Sequence, residues 1–492
     1  MNQLRHLPRP PRRRLSEELD FQRPAEVLAC GSDLLDVALT DGPALREWLE
    51  ARADFEAGVT EALLQARLDF GDQPADPHRR VWLDGLHQQL GANLEELRHR
   101  LDLKAWEAAG RATLDPDERA WEPALRTRLD LYRESNLALQ ERLSELELDY
   151  IQVMGNLSIR RSGRPCPIPE MRHHLLGDDP TVRRAVWEAR AELLEELRPT
   201  LEDLLDEMLA LREQMARNAD QPTWNAHRAA WGLPPATWKP EALVAAGLGQ
   251  ARVQRAWDLA VCGLGGDDYR SGAGLELAEL VDGLSYHAPA LSITLRRLDL
   301  LRLLDIQPRP GKFDLDGCLW LPEHRLPVLR MSAHALEDDL CRFLRQLLAA
   351  HHGLAECAAG RPPAGILLPP HPAQWREVSA VINGLLSDYD SGHAARAQRR
   401  LAVLRRLELR QALCLEYWAW WLYENPGASR AQRRRLWTTT QALACPGLAE
   451  LGSTPDLEDT LFLEPAFFLP DWSLPSLARL LREAEEERRN AD

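Results

Sequence analysis

The sequence predicts a mostly α-helical protein. Three observations carry that prediction. Apolar residues recur at three- and four-residue spacing through most of positions 26–150. A second long apolar stripe starts at Pro180 and runs to Met215. Strand-like patterning is confined to two short stretches, at Leu157/Ile159 and from Leu326 to Met331.

Residues 1–14 (MNQLRHLPRPPRRR) are rich in Pro and Arg. That composition predicts a disordered, solvated tail over residues 1–25. A helical domain is expected over 26–150. Leu45, Trp48 and Leu49 share one helix face, as do Phe55, Val59, Leu63 and Leu64. Leu125, Leu129, Tyr132, Leu139, Leu143 and Leu146 continue the pattern toward Tyr150. All of these read as bundle core.

Leu157 and Ile159 alternate ahead of Ser162-Gly163, which predicts a short hairpin. Pro180 then suits the first turn of a helix that carries Val182, Ala185, Val186, Ala189 and Leu193 on one face. This helix is expected to break at Pro199 and to resume through Leu201, Leu204, Leu205, Met208, Leu211 and Met215. Residues 219–300 are mixed, with Pro234-Pro235, Gly263 to Gly266 and Gly272 to Gly274 reading as linkers. After the strand ending at Met331, Glu337, Asp338 and Asp339 open a helix. Gly353 is expected to end it just after His351-His352.

At 492 residues the chain is long enough for a large core. Its formal charge of −16 argues against general nucleic-acid binding, which needs cations to replace counterions. Lysine occurs only at Lys104, Lys239 and Lys312, so nearly all positive charge is arginine. The eight cysteines are scattered, with no C-x-x-C pair, and read as thiols of a reducing cytosol. No secretory or membrane-spanning apolar run is present, so no membrane association and a cytoplasmic location are expected. No P-loop, G-x-S-x-G or internal repeat occurs.

Several stretches resemble the M3 family of zinc oligopeptidases, the oligoendopeptidase F group. Leu176-Gly177-Asp178-Asp179-Pro180-Thr181-Val182-Arg183-Arg184-Ala185-Val186-Trp187 is similar to that family's L-x-D-P-D-R-x-V-R-x-x-A-W segment. The run from Met208 to Asn218 (MLALREQMARN) is similar to its L-x-x-L-V-x-L-R-x-x-x-A-R helix. Trp257-Asp258-Leu259 resembles a W-D-L element, and Leu415 to Gly427 (LEYWAWWLYENPG) resembles F-Q-H-W-V-Y-x-N/H-P. The arginine-rich turn Arg430 to Trp437 is similar to T-x-E-E-R-x-x-x-W. The resemblance implies the M3 architecture: two helical halves around a deep groove, with a small β-ribbon near the active site. It also implies a catalytic-type domain over 151–492.

In that family Asp-Asp is followed by H-E-x-x-H, whose histidines bind zinc one turn apart while the Glu acts as general base. Laid on Asp338-Asp339, the motif falls on Arg345, Gln346, Leu347, Leu348 and Ala349. Both histidines and the glutamate are replaced. The third ligand, a Glu on the next helix, falls on Glu377 within Pro372-Ala373-Gln374-Trp375-Arg376-Glu377-Val378. One carboxylate does not hold zinc, because a catalytic site needs three protein ligands. Arg345 is therefore expected to serve as the structural counter-ion of Glu377. The oxyanion segment H-I-F-x-x-P-F-Y-Y corresponds to Thr460 to Phe468, where Thr460 replaces His and Phe467 and Phe468 stand for tyrosines. Remote oxyanion donors are each worth a few kcal/mol.

The expectation is thus a catalytically inactive homologue, without a cofactor, that binds a peptide or acts as a partner or regulatory subunit. Two alternatives stand beside it. One is an active metallopeptidase holding zinc through His334, His352, His371 and Glu377. The other is a purely structural assembly subunit. The oligomeric state is left open.

Overall fold

The computed structural model describes residues 7–167, 170, 171, 174, 180–230, 277–309, 312, 317–333, 337–361, 363, 368, 374–387 and 417–444. Its first half is a helical bundle. Helix α1 spans Pro24–Asp36, α2 Gly42–Asp72 and α3 Pro77–Glu107. Asp41 and Asp76 cap α2 and α3 by accepting from the backbone amides of Ala44 and His78, each at 2.9 Å. Pro43 and Pro77 sit in the first turn of each, where a missing N–H costs nothing. Helices α4 (Glu122–Leu131) and α5 (Leu137–Gly155) complete this layer.

The expected core residues Leu45, Trp48, Phe55, Val59, Leu125 and Leu146 are all buried. They share one cluster with residues much later in the chain, including Leu201, Leu205, Met208, Trp418 and Trp437. The boundary expected near residue 150 therefore does not separate two cores.

β1 (Ser158–Arg161) and β2 (Arg164–Pro167) form the expected hairpin, with Ile159 opposite Cys166. Ser162 (φ 49°) and Gly163 (φ 80°) are both left-handed, as a type I′ turn requires. The next helix, α6, runs unbroken over Pro180–Asn218, against the expected break at Pro199. Pro199 and Glu195, whose carbonyl loses its amide partner, are both exposed, so water can serve that carbonyl. Leu194, Leu201 and Leu205 stay buried across the site, and their packing outweighs the proline. A short helix α7, Trp224–Ala230, follows. The expected linkers and the Trp257-Asp258-Leu259 run lie outside the described residues.

Helices α8 (Leu277–His287) and α9 (Pro289–Leu300) lead to a three-stranded sheet. Its strands are β3 (Leu304–Asp305), β4 (Gly317–Leu321) and β5 (Leu326–Arg330), in the order β3-β5-β4. β5 runs parallel to β3 and antiparallel to β4. Helix α10 (Glu337–Ala358) packs on β4 and β5, and α11 (Gln374–Ser387) packs on α10. Leu319, Leu329, Leu344, Leu347, Val378 and Ile382 form this second core. Each fully buried leucine there is worth about 2 kcal/mol. The Leu368 amide donates to the Cys318 carbonyl on the outer side of β4 at 2.8 Å.

Helix α10 does not end at Gly353. A Cβ at that position would lie 2.7 Å from Leu368 Cδ1 and 3.5 Å from the Trp320 ring, so glycine serves close packing there. The terminator is Gly360 (φ 79°), with Gly360 N donating to Cys357 O and Arg361 N to Glu356 O. Residues 417–424 are helical, and Arg430–Ala444 form helix α12 rather than a turn. Trp418 and Trp437 are fully buried edge-to-face, with centroids 5.8 Å apart, as core aromatics. Among the described residues no helix is long and apolar enough to cross a membrane.

The Pro/Arg-rich segment, expected as a disordered tail, is packed from Leu7 onward. Leu7 and Phe21 are buried. Arg9 and Arg12 each reach Glu323, in the β4–β5 turn, at 2.6 Å. Arg12 also lies over the Phe21 ring at 4.7 Å. Composition signals disorder only when no partner is available, and here the arginines meet a carboxylate that is itself mostly buried. A cavity of about 560 Å³ lies between this segment, α2 and the turn, with Gln65, Glu323 and His324 among its lining residues.

Arg12→Ala is expected to cost about 1–3 kcal/mol, because Arg9 still partners Glu323. Losing both arginines should cost about 3–5 kcal/mol, the range for breaking a buried pair from one side. Urea midpoints at unchanged m-value measure this; shifts under about 0.5 kcal/mol would describe a solvated tail instead.

A second expectation concerns acid. Burial alone would raise the Asp305 carboxyl, but the Arg309 hydrogen bond and the charges of Lys312 and Arg330 outweigh it and hold the group below its ordinary value. Its contribution is complete above the unfolded value of about 3.9 and is lost as pH falls through the lower folded value. Asp305→Asn should therefore flatten the fall in stability below about pH 4, as followed by denaturant titration across acid pH.

Candidate functional site

Helix α10 carries Arg345, Ala349 and His352 at i, i+4 and i+7, which places them along one stripe. The side chains differ sharply in surroundings. Ala349 is buried in the second core, and Arg345 and Gln346 are half-buried. Gln346 faces the start of β4. The hydrogen-bond network orients its amide so that Nε2 donates to Gly317 O at 3.2 Å and Oε1 accepts from Gly317 N at 3.3 Å. This amide continues the backbone pairing of the sheet, a task that needs both a donor and an acceptor. A carboxylate has no proton to offer the carbonyl.

Leu347 and Leu348 point into the core, as helical spacing requires of a helix packed on a sheet. His351 Nδ1 lies 3.0 Å from Thr294 Oγ1 on α9. His352 Nε2 lies 3.5 Å from Glu377 Oε2 on α11. In place of the expected Arg345, the side chain that meets Glu377 is His352. The reason is register. Glu377 sits in the first turn of α11, beside the later turns of α10. Arg345 precedes His352 by two helical turns, about 10 Å of rise. The His352–Glu377 pair is also partly exposed, at 35% and 42%, unlike the buried pair the sequence predicts.

Zinc is the group that the M3 resemblance implies. Arg345, Gln346 and Ala349 offer a guanidinium, an amide already bonded to Gly317, and a buried methyl. None is a zinc donor of the imidazole, carboxylate or thiolate kind. The side chains at these three positions do not fit the metal. The structure brings His352 and Glu377 together, whereas His334, His371, Thr460, Phe467 and Phe468 lie outside the described residues.

A different cluster escaped the sequence reading. Cys166, Glu170 and His174 bring a thiol, a carboxylate and an imidazole within 4.8 Å of one another. Burial, then the Glu170 charge, pushes the Cys166 thiol up to about 11, with Arg161 opposing. Their regular four-residue spacing, Cys-x3-Glu-x3-His, was the available signal.

No protein-family profile and no curated protein matches the sequence. Solved structures do match. PZ peptidase A with a bound inhibitor superposes with a TM-score of 0.80 at 12% identity, covering 95% of this chain and 88% of that one. A protein assigned as an oligoendopeptidase F gives 0.77 at 13% identity, over 95% and 88%. Another so assigned, from Bacillus anthracis strain Ames, gives 0.70 at 13% identity, over 96% and 93%. The chain therefore has the mostly-α fold of oligoendopeptidase F-like peptidases over nearly its whole length.

Gln346→Glu is expected to destabilise by about 1–3 kcal/mol, since the Gly317 carbonyl loses its donor and faces an acceptor. Glu377→Gln should cost less than about 1 kcal/mol, because its partner is a partly exposed histidine. Thermal unfolding of both variants compares them; an equal or larger cost at Glu377 would contradict the geometry described.

Proposed function

We propose that this protein is a catalytically inactive protein of peptidase fold that binds a peptide or a partner protein as a regulatory subunit. The observation that carries the reading is the chemistry of α10, where Arg345, Gln346 and Ala349 occupy the positions at which the resemblance calls for two imidazoles and a general base. An amide has no titration near neutrality with which to take a proton from water. Without the metal and base, water is not activated for attack on a peptide carbonyl. Peptide as the ligand class is drawn from the peptidases whose fold this chain resembles. No zinc at α10 belongs to the same reading.

A second reading has one observation in its favour. His352 and Glu377 stand 3.5 Å apart and together offer an imidazole and a carboxylate, two of the three donors of a catalytic zinc site. In that reading the protein is a metallopeptidase with a displaced metal site.

One experiment separates the two. The purified full chain is incubated with an unstructured peptide library, with added zinc and with chelator. The expected result is saturable peptide binding without cleavage under either condition. Chelator-sensitive cleavage that disappears in His352→Ala and Glu377→Ala would establish the second reading and sink the first.

A further inference from the structure

The hairpin β1–β2 and the helical turn after it carry a feature that neither reading uses. Cys166 sits on β2 opposite Ile159 and is 1% exposed. Glu170 and His174 follow at four-residue steps, so they share one face of a helical turn. The Glu170 Oε1 to His174 Nε2 distance is 3.7 Å. With the Cys166 sulfur, ligand atoms of all three residues lie within 4.8 Å of one another.

The protonation of His174 follows from its neighbour. Arg161 Nη1 lies 3.0 Å from His174 Nε2, and a guanidinium only donates. Nε2 is therefore an acceptor, and it accepts from Arg161. It stands beside a carboxylate oxygen, which is also an acceptor. Two acceptors 3.7 Å apart are favoured by a cation nearby, and Arg161 supplies one through its bond to Nε2.

We propose that Cys166, Glu170 and His174 form a site for one divalent transition-metal ion of the zinc type, which ties the β-hairpin to the helical turn that follows it. Zinc bonds of about 2.0–2.2 Å to O and N, and about 2.3 Å to S, place tetrahedral ligand atoms about 3.4–3.6 Å apart. The observed 3.7 Å needs almost no adjustment. Glu170, half-exposed, has freedom to close on the ion, while Cys166 is fixed by the strand. The S, N and O donor set selects zinc-like ions over magnesium or calcium. Three protein ligands leave a fourth position for water or for a side chain from a partner. On binding, the Cys166 S–H bond breaks, its proton passes to solvent, and Arg161 gives up Nε2 to the metal.

The local fold gives the metal a purpose. A two-stranded hairpin is marginal by itself. Among the described residues, the cluster beneath this one has Leu157, Ile159, Cys166, Met171, Val186 and Leu194 as its buried members. A metal bridge from strand to helix would add cohesion to the apolar packing there. The site lies on different elements from α10 and stands whether or not the protein cleaves peptides.

The test uses the full chain stripped with chelator and then dialysed against zinc, with cobalt(II) as the spectroscopic probe. One metal per chain is expected, and cobalt should show a thiolate-to-cobalt charge-transfer band. Cys166→Ser should abolish the band. Glu170→Gln, a substitution at an exposed position that keeps the fold, and His174→Ala should each weaken binding by at least about tenfold. Cys30→Ser should change neither, and zinc should raise the Tm of the wild type but not of His174→Ala. Substoichiometric metal, or metal retained at full affinity in both Cys166→Ser and Glu170→Gln, would overturn the assignment. Metal retained in Cys166→Ser but lost in His352→Ala would move the site to α10 and overturn it as well.

Discussion

Glu61 is where the two hydrophobic cores are held in register. It lies on α2, within the first bundle, yet only 1% of it is exposed. Its carboxylate accepts from the backbone amides of Glu323 and His324 at 2.9 and 3.1 Å and also meets His324 Nδ1. An isolated buried carboxylate is costly, so its burial requires the β4–β5 turn to be in place. The requirement is mutual, because the turn's amides lose their acceptor if α2 moves. Nearby charges extend the joint. Arg330, 3% exposed, meets Asp72 of α2 and Asp305 of β3. Lys312 points its ammonium at Met331 O (2.7 Å), Asp305 O (2.9 Å) and Gln307 O (3.2 Å). A compact ammonium fits such a cage of carbonyls, whereas a planar guanidinium does not, and this is one of only three lysines in an arginine-rich chain. The N-terminal arginines close the same joint from outside through Glu323.

What the sequence reveals follows from how local the determining physics is. The type I′ turn at Ser162-Gly163, the proline-opened α6 and the leucine stripes of α2 and α5 depend on neighbours within a few residues, and each is present as read. The misreadings share one cause. Pro199, Gly353 and the arginines at 9 and 12 carry strong local signals that distant packing overrides. Pro199 is carried through by buried leucines on either side, Gly353 is held in the helix by Trp320 and Leu368, and the arginines find Glu323 more than three hundred positions away. The ion pair of Glu377 depended on the axial offset of two helices, which spacing along one chain does not encode.

The fold of the oligoendopeptidase F-like peptidases persists here at 12–13% identity, and Gln346 shows one way in which it is held. A zinc helix packed on a sheet buries one flank and presents the other to substrate. Here Gln346 ties α10 to the first residue of β4. Ala349 joins the second core. Such packing contacts hold a scaffold whatever chemistry it carries, because fold and function answer to different requirements.

The contact between Leu368 and β4 has a consequence for how any extended ligand would be received. Among the described residues β4 is an outer strand of its sheet, and such a strand offers main-chain groups to a visiting strand, either a wanted peptide or an unwanted second copy. Here the outward carbonyl of Cys318 is already taken by the Leu368 amide, and the Leu368 side chain is lodged beside Gly353 and Trp320. A newcomer seeking that carbonyl must first evict a residue of the chain itself. The same residue that blunts adhesion between copies would therefore act as an internal competitor, setting a threshold that only a ligand with enough side-chain affinity could cross.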